Sequence, residues 1–417
     1  MIKPKVLVFS DCYIYGGSEK LMSFLLKNNL LNKEFELLYS YRTHREYRKG
    51  LNNEGLNNRV NNYPLFLFSN NTVFHQIDCL KSPKIIKRIF KIPFFILDKL
   101  KIYFLWNFFN FLFLLIKTKP NIIHVNNGGY PGAVTCNLII LVNFLTLKTK
   151  VIYQINNQAK KQKHYFDKVY DNFINKNVNY FINASFSAKQ QLIEKRNFNS
   201  NKILIVNNCS PLLKIKESRA EILNDLKLPL DCFLILEVAF LTERKGQKYL
   251  IEAVFDLYNK NKLSKEKVFC AFIGNGENET FLRNQIDQLN LSSNVFLLGY
   301  KNNTEDYISA CDLFILPSIK DEDMPLVLLS ALGYGKPIIT TDLAGIKQVI
   351  ISGENGVLIE TEIQTFSDNI ANAIYNLYED EILRNKIASI AKDTYVNYSP
   401  EKYGFKIKEI YEKVNVK

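Results

Sequence analysis

The sequence predicts an α/β protein made of two doubly wound parallel-sheet domains. Short apolar runs alternate with amphipathic stretches almost from end to end, the pattern of strands joined by helical crossovers. At 417 residues the chain is too long for one ordinary core. A polar, charged passage over 210–227, opening on Ser210-Pro211, separates two such series.

In the first half the clearest strands are Val6–Ser10, Ile122–Val125, Val151–Ile155, Tyr180–Asn183 and Ile203–Val206. In the second they are Phe233–Val238, Val268–Ile273, Val295–Leu297, Leu313–Leu316 and Pro337–Thr340. The expected domains are therefore 1–212 and 213–400. The final stretch, 401–417, reads as a helix of alternating charge, with Tyr403, Phe405, Ile407, Ile410 and Tyr411 available to pack back on the first domain.

The net charge of +13 is unevenly spread. Residues 1–212 hold 30 Lys and Arg against 11 Asp and Glu, whereas 213–417 hold 24 against 30. All the basicity lies in the first half, which points to an anionic partner there. The seven cysteines are scattered without a C-x-x-C pair and read as small core residues in a reducing compartment. The opening MIKPKVLVFSD is a strand and a turn, without the apolar length of a signal peptide.

Residues 81–119 break the α/β pattern. They carry nine Lys and Arg and one Asp around the apolar run Ile102–Ile116. Fifteen helical residues reach roughly 22 Å, and a bilayer core of about 30 Å needs nearer twenty. Partial immersion in an anionic membrane surface, with Trp106 and the phenylalanines down, is one expectation. A helix buried in the first domain with a solvated lysine rim is the other. Nucleic acid is excluded as a partner, because no recognisable module is present and the basic residues interleave with an apolar run.

The most informative stretch is Asp321 to Gly345. It reads as an acidic loop, a short helix with Pro325 in its first turn, a stop near Gly333 and Gly335, and a buried strand. A helix start offers free N–H groups and the positive end of a dipole, which suits a phosphate. Glu322 stands just before it, where a carboxylate accepts hydrogen bonds from sugar hydroxyls. Upstream, Leu236–Val254 is a strand, a loop with Glu243-Arg244-Lys245-Gly246, and a helix. A lysine in such a loop can hold a diphosphate and neutralise it as a bond to it breaks. Gly274 and Gly276 precede another helix and permit close backbone approach.

Taken in order, Lys245-Gly246, Gly274 and Gly276, Leu298-Gly299-Tyr300, the run Asp312 to Ser318, Glu322 with Pro325, Gly335-Lys336-Pro337 and Ala344-Gly345 closely resemble glycosyltransferase family four. The resemblance is strong from Leu236 to about Leu358. It is weaker in the first domain, through Gly16-Gly17-Ser18-Glu19, the strand ending in His124, and Asn183–Glu194. It implies the GT-B fold, two Rossmann-like parallel-sheet domains facing across a cleft. It also implies transfer of a sugar, with retained configuration, from a nucleotide-sugar donor. The donor expected is a UDP-sugar, and the acceptor a glycan or lipid-linked molecule of surface-polysaccharide assembly. The place of work expected is the cytoplasm, peripherally on the inner face of the membrane.

Carried over by position, the resemblance implies that Lys245, beside Arg244, grips the donor diphosphate. Glu322 holds the donor sugar, aided by the backbone of Asp323, Met324, Pro325 and Leu326. Gly16 and Gly17 let the first domain approach the donor phosphates, and Gly274 and Gly276 line the nucleotide pocket. No metal and no cofactor are expected. Three positions depart from the family pattern. Ser330 replaces a second glutamate that contacts the ribose, Phe240 stands at or near the place of an arginine, and Asn156 replaces a histidine. By position, Ser330 and Asn156 are still expected among the donor-binding residues. His124 is read as structural. Ser330 leaves open a second reading, a non-catalytic paralogue that binds a glycan or nucleotide. Asp321-Glu322-Asp323 could also be read as the metal-binding D-x-D of the other main transferase fold. Its late position, against a proline-started helix among two α/β halves, speaks against that.

Overall fold

The computed structural model describes residues 3–56 and 59–415, so residues 416 and 417 of the expected terminal helix lie outside the described residues. Two compact units divide the chain. One holds the residues up to Val206 and those from Tyr403 onward, and the other runs from Asn207 to Lys402. The second unit thus starts before the expected break at 212/213. The reason is local: Asn208 donates to the Met324 carbonyl at 2.8 Å, and Ser210 pairs with Ser330 at 2.8 Å, both inside the second unit.

The first unit contains β1 (Lys5–Ser10), β2 (Glu36–Arg42), β3 (Asn61–Leu65), β4 (Ile122–Asn127), β5 (Lys150–Ile155), β6 (Tyr180–Asn183) and β7 (Ile203–Ile205). They form one parallel sheet in the order β3-β2-β1-β4-β5-β6-β7. The second unit contains β8 (Phe233–Val238), β9 (Val268–Ile273), β10 (Val295–Leu297), β11 (Leu313–Leu316), β12 (Ile338–Thr341) and β13 (Val357–Ile359), in the order β10-β9-β8-β11-β12-β13. In each sheet the direction of winding reverses once, between β1 and β4 and between β8 and β11. Strands buried on both faces read as continuous apolar runs, which is why most central ones are visible in sequence. β2, with Glu36, Ser40 and Arg42, is an interior strand that the sequence reading missed. β3 is an edge strand, and Pro64 is tolerated there because no neighbour asks for its N–H.

The run Ile102–Ile116 lies in the helix Ile102–Thr118, which is buried along one face and exposed along the other. Two helices, Lys84–Lys99 and Ile102–Thr118, meet at a bend of 62°. Among the described residues no single helix is long and apolar enough to cross a membrane. The first of the pair buries none of its residues, whereas the second buries Tyr103, Asn107, Phe111, Leu114, Leu115 and Thr118 as one stripe.

The terminal helix Pro400–Asn415 docks onto the first sheet through a polar chain. Tyr411 donates to His124 Nδ1 at 2.7 Å, and His124 Nε2 donates to Gln154 Oε1 at 3.1 Å. Tyr403 donates to the same oxygen at 3.0 Å. Gln154 donates to Asn156 Oδ1 at 2.9 Å, and Asn156 donates to Asn126 Oδ1 at 2.6 Å. Asn126 then donates to Ser10 at 2.9 Å, and Ser10 donates to Glu19 at 3.2 Å. Burial raises the Glu19 carboxyl, against hydrogen bonds from Ser18, Gly16 and Ser10.

His124 sits inside β4, fully buried and neutral, its pKa lowered by burial from 6.5 to about 4. Unfolded, the imidazole takes up a proton below its ordinary 6.5. Its contribution to stability is therefore full above pH 6.5 and lost as the pH falls toward 4. That loss is about 3 kcal/mol in urea unfolding of the wild type. His124→Gln is expected to flatten this part of the profile.

Candidate active site

Neighbouring strands deliver the cluster. The chain leaves β8 and makes one 3-10 turn, Glu243–Lys245, closed by Gly246 at φ 77°. A Cβ at Gly246 would lie 2.0 Å from the Pro317 carbonyl oxygen, so only glycine lets this loop touch the one after β11. The Ile319 N–H donates to the Arg244 carbonyl at 2.8 Å and sews the two loops together. Asp321 then turns through a left-handed conformation at φ 57°, which Asp tolerates better than most residues. Lys245 and Glu322 are thereby aimed at each other at the switch point between β8 and β11. In open α/β sheets that is where ligands bind.

Glu322 Oε1 accepts from Lys245 Nζ, from Arg244 Nη1 at 2.9 Å and from Ser318 Oγ at 3.3 Å. Lys245 and Glu322 are buried, while about a third of the Arg244 side chain stays open, 32% exposed. An ammonium has three donors. The cluster therefore pairs a positioned cation with a carboxylate, the donors and acceptor that a diphosphate and a sugar hydroxyl require.

Beneath it lies a group that the sequence reading missed. Glu237, near the end of β8, is buried and accepts from Gln247 Nε2 at 2.9 Å. Its second oxygen has no hydrogen-bond partner among the described residues. Burial holds this carboxyl well above the ordinary range, with nearby Lys245 pulling the other way. A glutamate inside the apolar run LILEV was the available signal.

The remaining predicted residues have more local roles. The helix Leu326–Gly333 starts one residue later than expected, with Pro325 as its cap at φ −69°, ψ 132° and not inside its first turn. Ser330 is buried against Ser210. Asp323 and Met324 are buried in the preceding loop. Gly274 and Gly276 are required by the chain itself: a Cβ would lie 1.8 Å from the Ala239 carbonyl oxygen at one and 2.1 Å from that of Leu241 at the other. The Gly274 N–H already donates to Gly299 O at 2.9 Å.

Gly16, Gly17 and Asn156 belong to the first unit. Gly16 caps the helix Gly17–Lys27, and its N–H donates to Glu19 Oε2 at 3.1 Å. The Asn156 amide donates twice within the fold, to Asn126 Oδ1 and to the Asn127 carbonyl at 3.0 Å. Among the described residues no group of three or more His, Cys, Asp or Glu is arranged to hold a metal ion.

Two Rossmann-like parallel sheets of this kind define a GT-B protein, and solved structures share the fold over nearly the whole chain. Anabaena HepE, crystallised with UDP, superposes with a TM-score of 0.75 at 18% identity, over 98% of this chain and 100% of its own. A glycosyltransferase from Rickettsia africae does so at 0.75 and 17% identity, over 99% and 98%. In sequence, residues 218–394 match the model of glycosyl transferases group 1. An uncharacterized glycosyltransferase of Methanocaldococcus jannaschii is 26% identical over 99% of this chain and 98% of its own length. The UDP-Gal:alpha-D-GlcNAc-diphosphoundecaprenol alpha-1,3-galactosyltransferase of Escherichia coli is 30% identical, over 45% of this chain and 47% of its own length. The chain thus spans about half of that second relative.

Removing one partner of a buried ion pair leaves the other charged and desolvated. Glu322→Ala is expected to cost about 3–5 kcal/mol in chemical denaturation, and Lys245→Met in the same chain to recover much of it. Glu237 behaves in the opposite sense to His124. Its proton is retained in the fold above the ordinary 4.5, so its contribution is full below that value and lost as the pH rises through the raised one. Glu237→Gln is expected to remove that loss, read as stability against pH.

Proposed function

We propose that this protein transfers a sugar, with retention of configuration, from a UDP-sugar to a glycan or lipid-linked acceptor in surface-polysaccharide assembly. The observation that carries the reading is Lys245 and Arg244 converging on Glu322 at the switch point of the second sheet. The sugar nucleotide would displace part of this pairing. Lys245 and Arg244 would stabilise the departing diphosphate, and Glu322 would accept from donor-sugar hydroxyls. Retention of this kind asks for no enzymic nucleophile. It asks for a leaving group held by fixed cations and an acceptor hydroxyl placed on the same face. The HepE complexes with UDP and with UDP-glucose, and the diphosphoundecaprenol acceptor in the Escherichia coli relative's name, support the donor and acceptor classes. A lipid-linked acceptor puts the work in the cytoplasm at the inner face of the membrane.

Ser330 favours a second reading. Its hydroxyl is engaged by Ser210, so no carboxylate reaches out from the position where the family places its ribose contact. A chain lacking that contact could bind a sugar nucleotide without transferring from it.

A thermal-shift panel of UDP-, GDP- and other sugar nucleotides separates these readings when it is followed by product analysis. Saturation at a hundred times Kd adds about 2.7 kcal/mol to stability, and the UDP-sugars are expected to give the largest shifts. Stabilisation without transfer or hydrolysis would favour the non-catalytic reading, and no shift with any donor would remove both. Lys245→Ala is expected to lower kcat about 10²–10³-fold. Transfer is expected to persist in a chelator, since no step uses a metal.

A further inference from the structure

We propose that the helix pair Lys84–Lys99 and Ile102–Thr118 is a docking surface for an anionic lipid leaflet, lying in the interface without crossing the bilayer. The inference deepens the membrane side of the proposed function and rests on it only for the choice of leaflet. Lys84–Lys99 has no core to serve: it buries nothing, and Ile85, Ile89, Phe90, Ile92 and Phe95 are all exposed. Phe113, at 68% exposed, with Leu105, Trp106, Phe109 and Ile116, continues the apolar face along the second helix. A patch on this scale on a water-soluble protein marks an interaction site.

What covers it is decided by charge. Nine Lys and Arg against one Asp border the patch over residues 81–119. Several sit where long side chains lay their stems on apolar surface and lift their charges outward. Lys99 Nζ lies 5.3 Å from the Phe95 ring centre, and Lys91 Nζ lies 5.3 Å from that of Phe74. A second copy would set one cationic rim against another, whereas anionic headgroups complement it.

The pair lies flat because its inner face is already engaged. Tyr103, Asn107, Phe111, Leu114, Leu115 and Thr118 form one buried stripe along the second helix. Asn107 is held on both sides by the Phe68 backbone, accepting from its N–H at 2.9 Å and donating to its carbonyl at 2.9 Å. Trp106 Nε1 donates to the Phe66 carbonyl at 2.7 Å, and Phe111 meets Phe9 edge to face at 5.0 Å. The first helix is latched by Asn70 to Asp98 at 2.7 Å and by Lys91 to Asp78 at 2.7 Å. Crossing a bilayer would require shedding these bonds and burying Asn107 in hydrocarbon.

Trp106 is the chain's single tryptophan and stands in the patch, so it reports directly. The full-length protein is titrated with phosphatidylglycerol–phosphatidylcholine vesicles and with pure phosphatidylcholine vesicles, followed by Trp fluorescence and flotation. Binding is expected to the anionic vesicles at low salt and to weaken with added salt. Lipids brominated near the headgroup should quench Trp106 more than lipids brominated at the chain ends. Replacing Lys84, Arg88 and Lys101 together by Gln is expected to weaken partitioning on the order of a hundredfold. Ile89→Asp with Phe90→Asp should abolish it while leaving the unfolding transition in place, since both side chains are exposed. Absence of binding to anionic vesicles, or strongest quenching from the bilayer centre, overturns the proposal. So does a vesicle-free dimer that the double Asp variant returns to monomer. The sugar-nucleotide thermal shift, measured without vesicles, tests the transfer reading separately.

Discussion

The second unit depends on one close approach, the backbone of Gly246 against the Pro317 carbonyl. That contact lets the loops after β8 and β11 share hydrogen bonds, and it brings together two charged side chains separated by 77 positions in the chain. Burying an ammonium and a carboxylate is expensive unless they meet with good geometry and further hydrogen bonds. Arg244 and Ser318 supply those bonds. The arrangement adds little to net stability for its size, but it holds a cation and a carboxylate ready where strands change winding direction. Burial raises the Glu237 carboxyl beneath it, against the pull of Lys245.

The first unit solves a different problem. A helix from the far end of the chain must dock on a sheet formed mostly from the first half. It does so through a polar chain in which each donor faces an acceptor from Tyr411 to Glu19. A buried polar network is favourable only when its members are satisfied, and the neutral tautomer of His124 is the one that satisfies both neighbours. Asn156 is a middle link of this network. Its amide N–H groups face inward, so its position in the sequence motif says less about a bound sugar than the resemblance suggested. Gly16 is joined to the same network through Glu19, which ties the glycine loop to the helix packing around it.

The first helix of the exposed pair has no comparable internal reason to exist. The second helix contributes a stripe to the core, as an amphipathic helix does. The first contributes no buried residue, although Ile, Phe and Leu make up much of it between its charges. Local folding leaves it in contact with water, and its charges arrange themselves around the apolar face without covering it.

Much of the architecture could be read from sequence, because a parallel strand buried on both faces must be apolar along its length. Most central strands announce themselves that way, but β2 does not, because Glu36, Ser40 and Arg42 interrupt its apolar run. β3, with Asn61, Asn62 and Pro64, does not, since an edge strand needs neither continuous apolar residues nor every N–H. β13 has only three residues, too few to set a period. The motif order also pointed to Lys245 and Glu322, and to Ser330 as a departure. Sequence could not show that Glu322 pairs with Lys245, that Ser330 meets Ser210 across 120 positions, or that the glycines at 274 and 276 make room for backbone and not only for a ligand. Periodicity is a local property, visible within a few residues. Partners that meet through sheet order and loop contact are set by distances that exist only after the chain has folded.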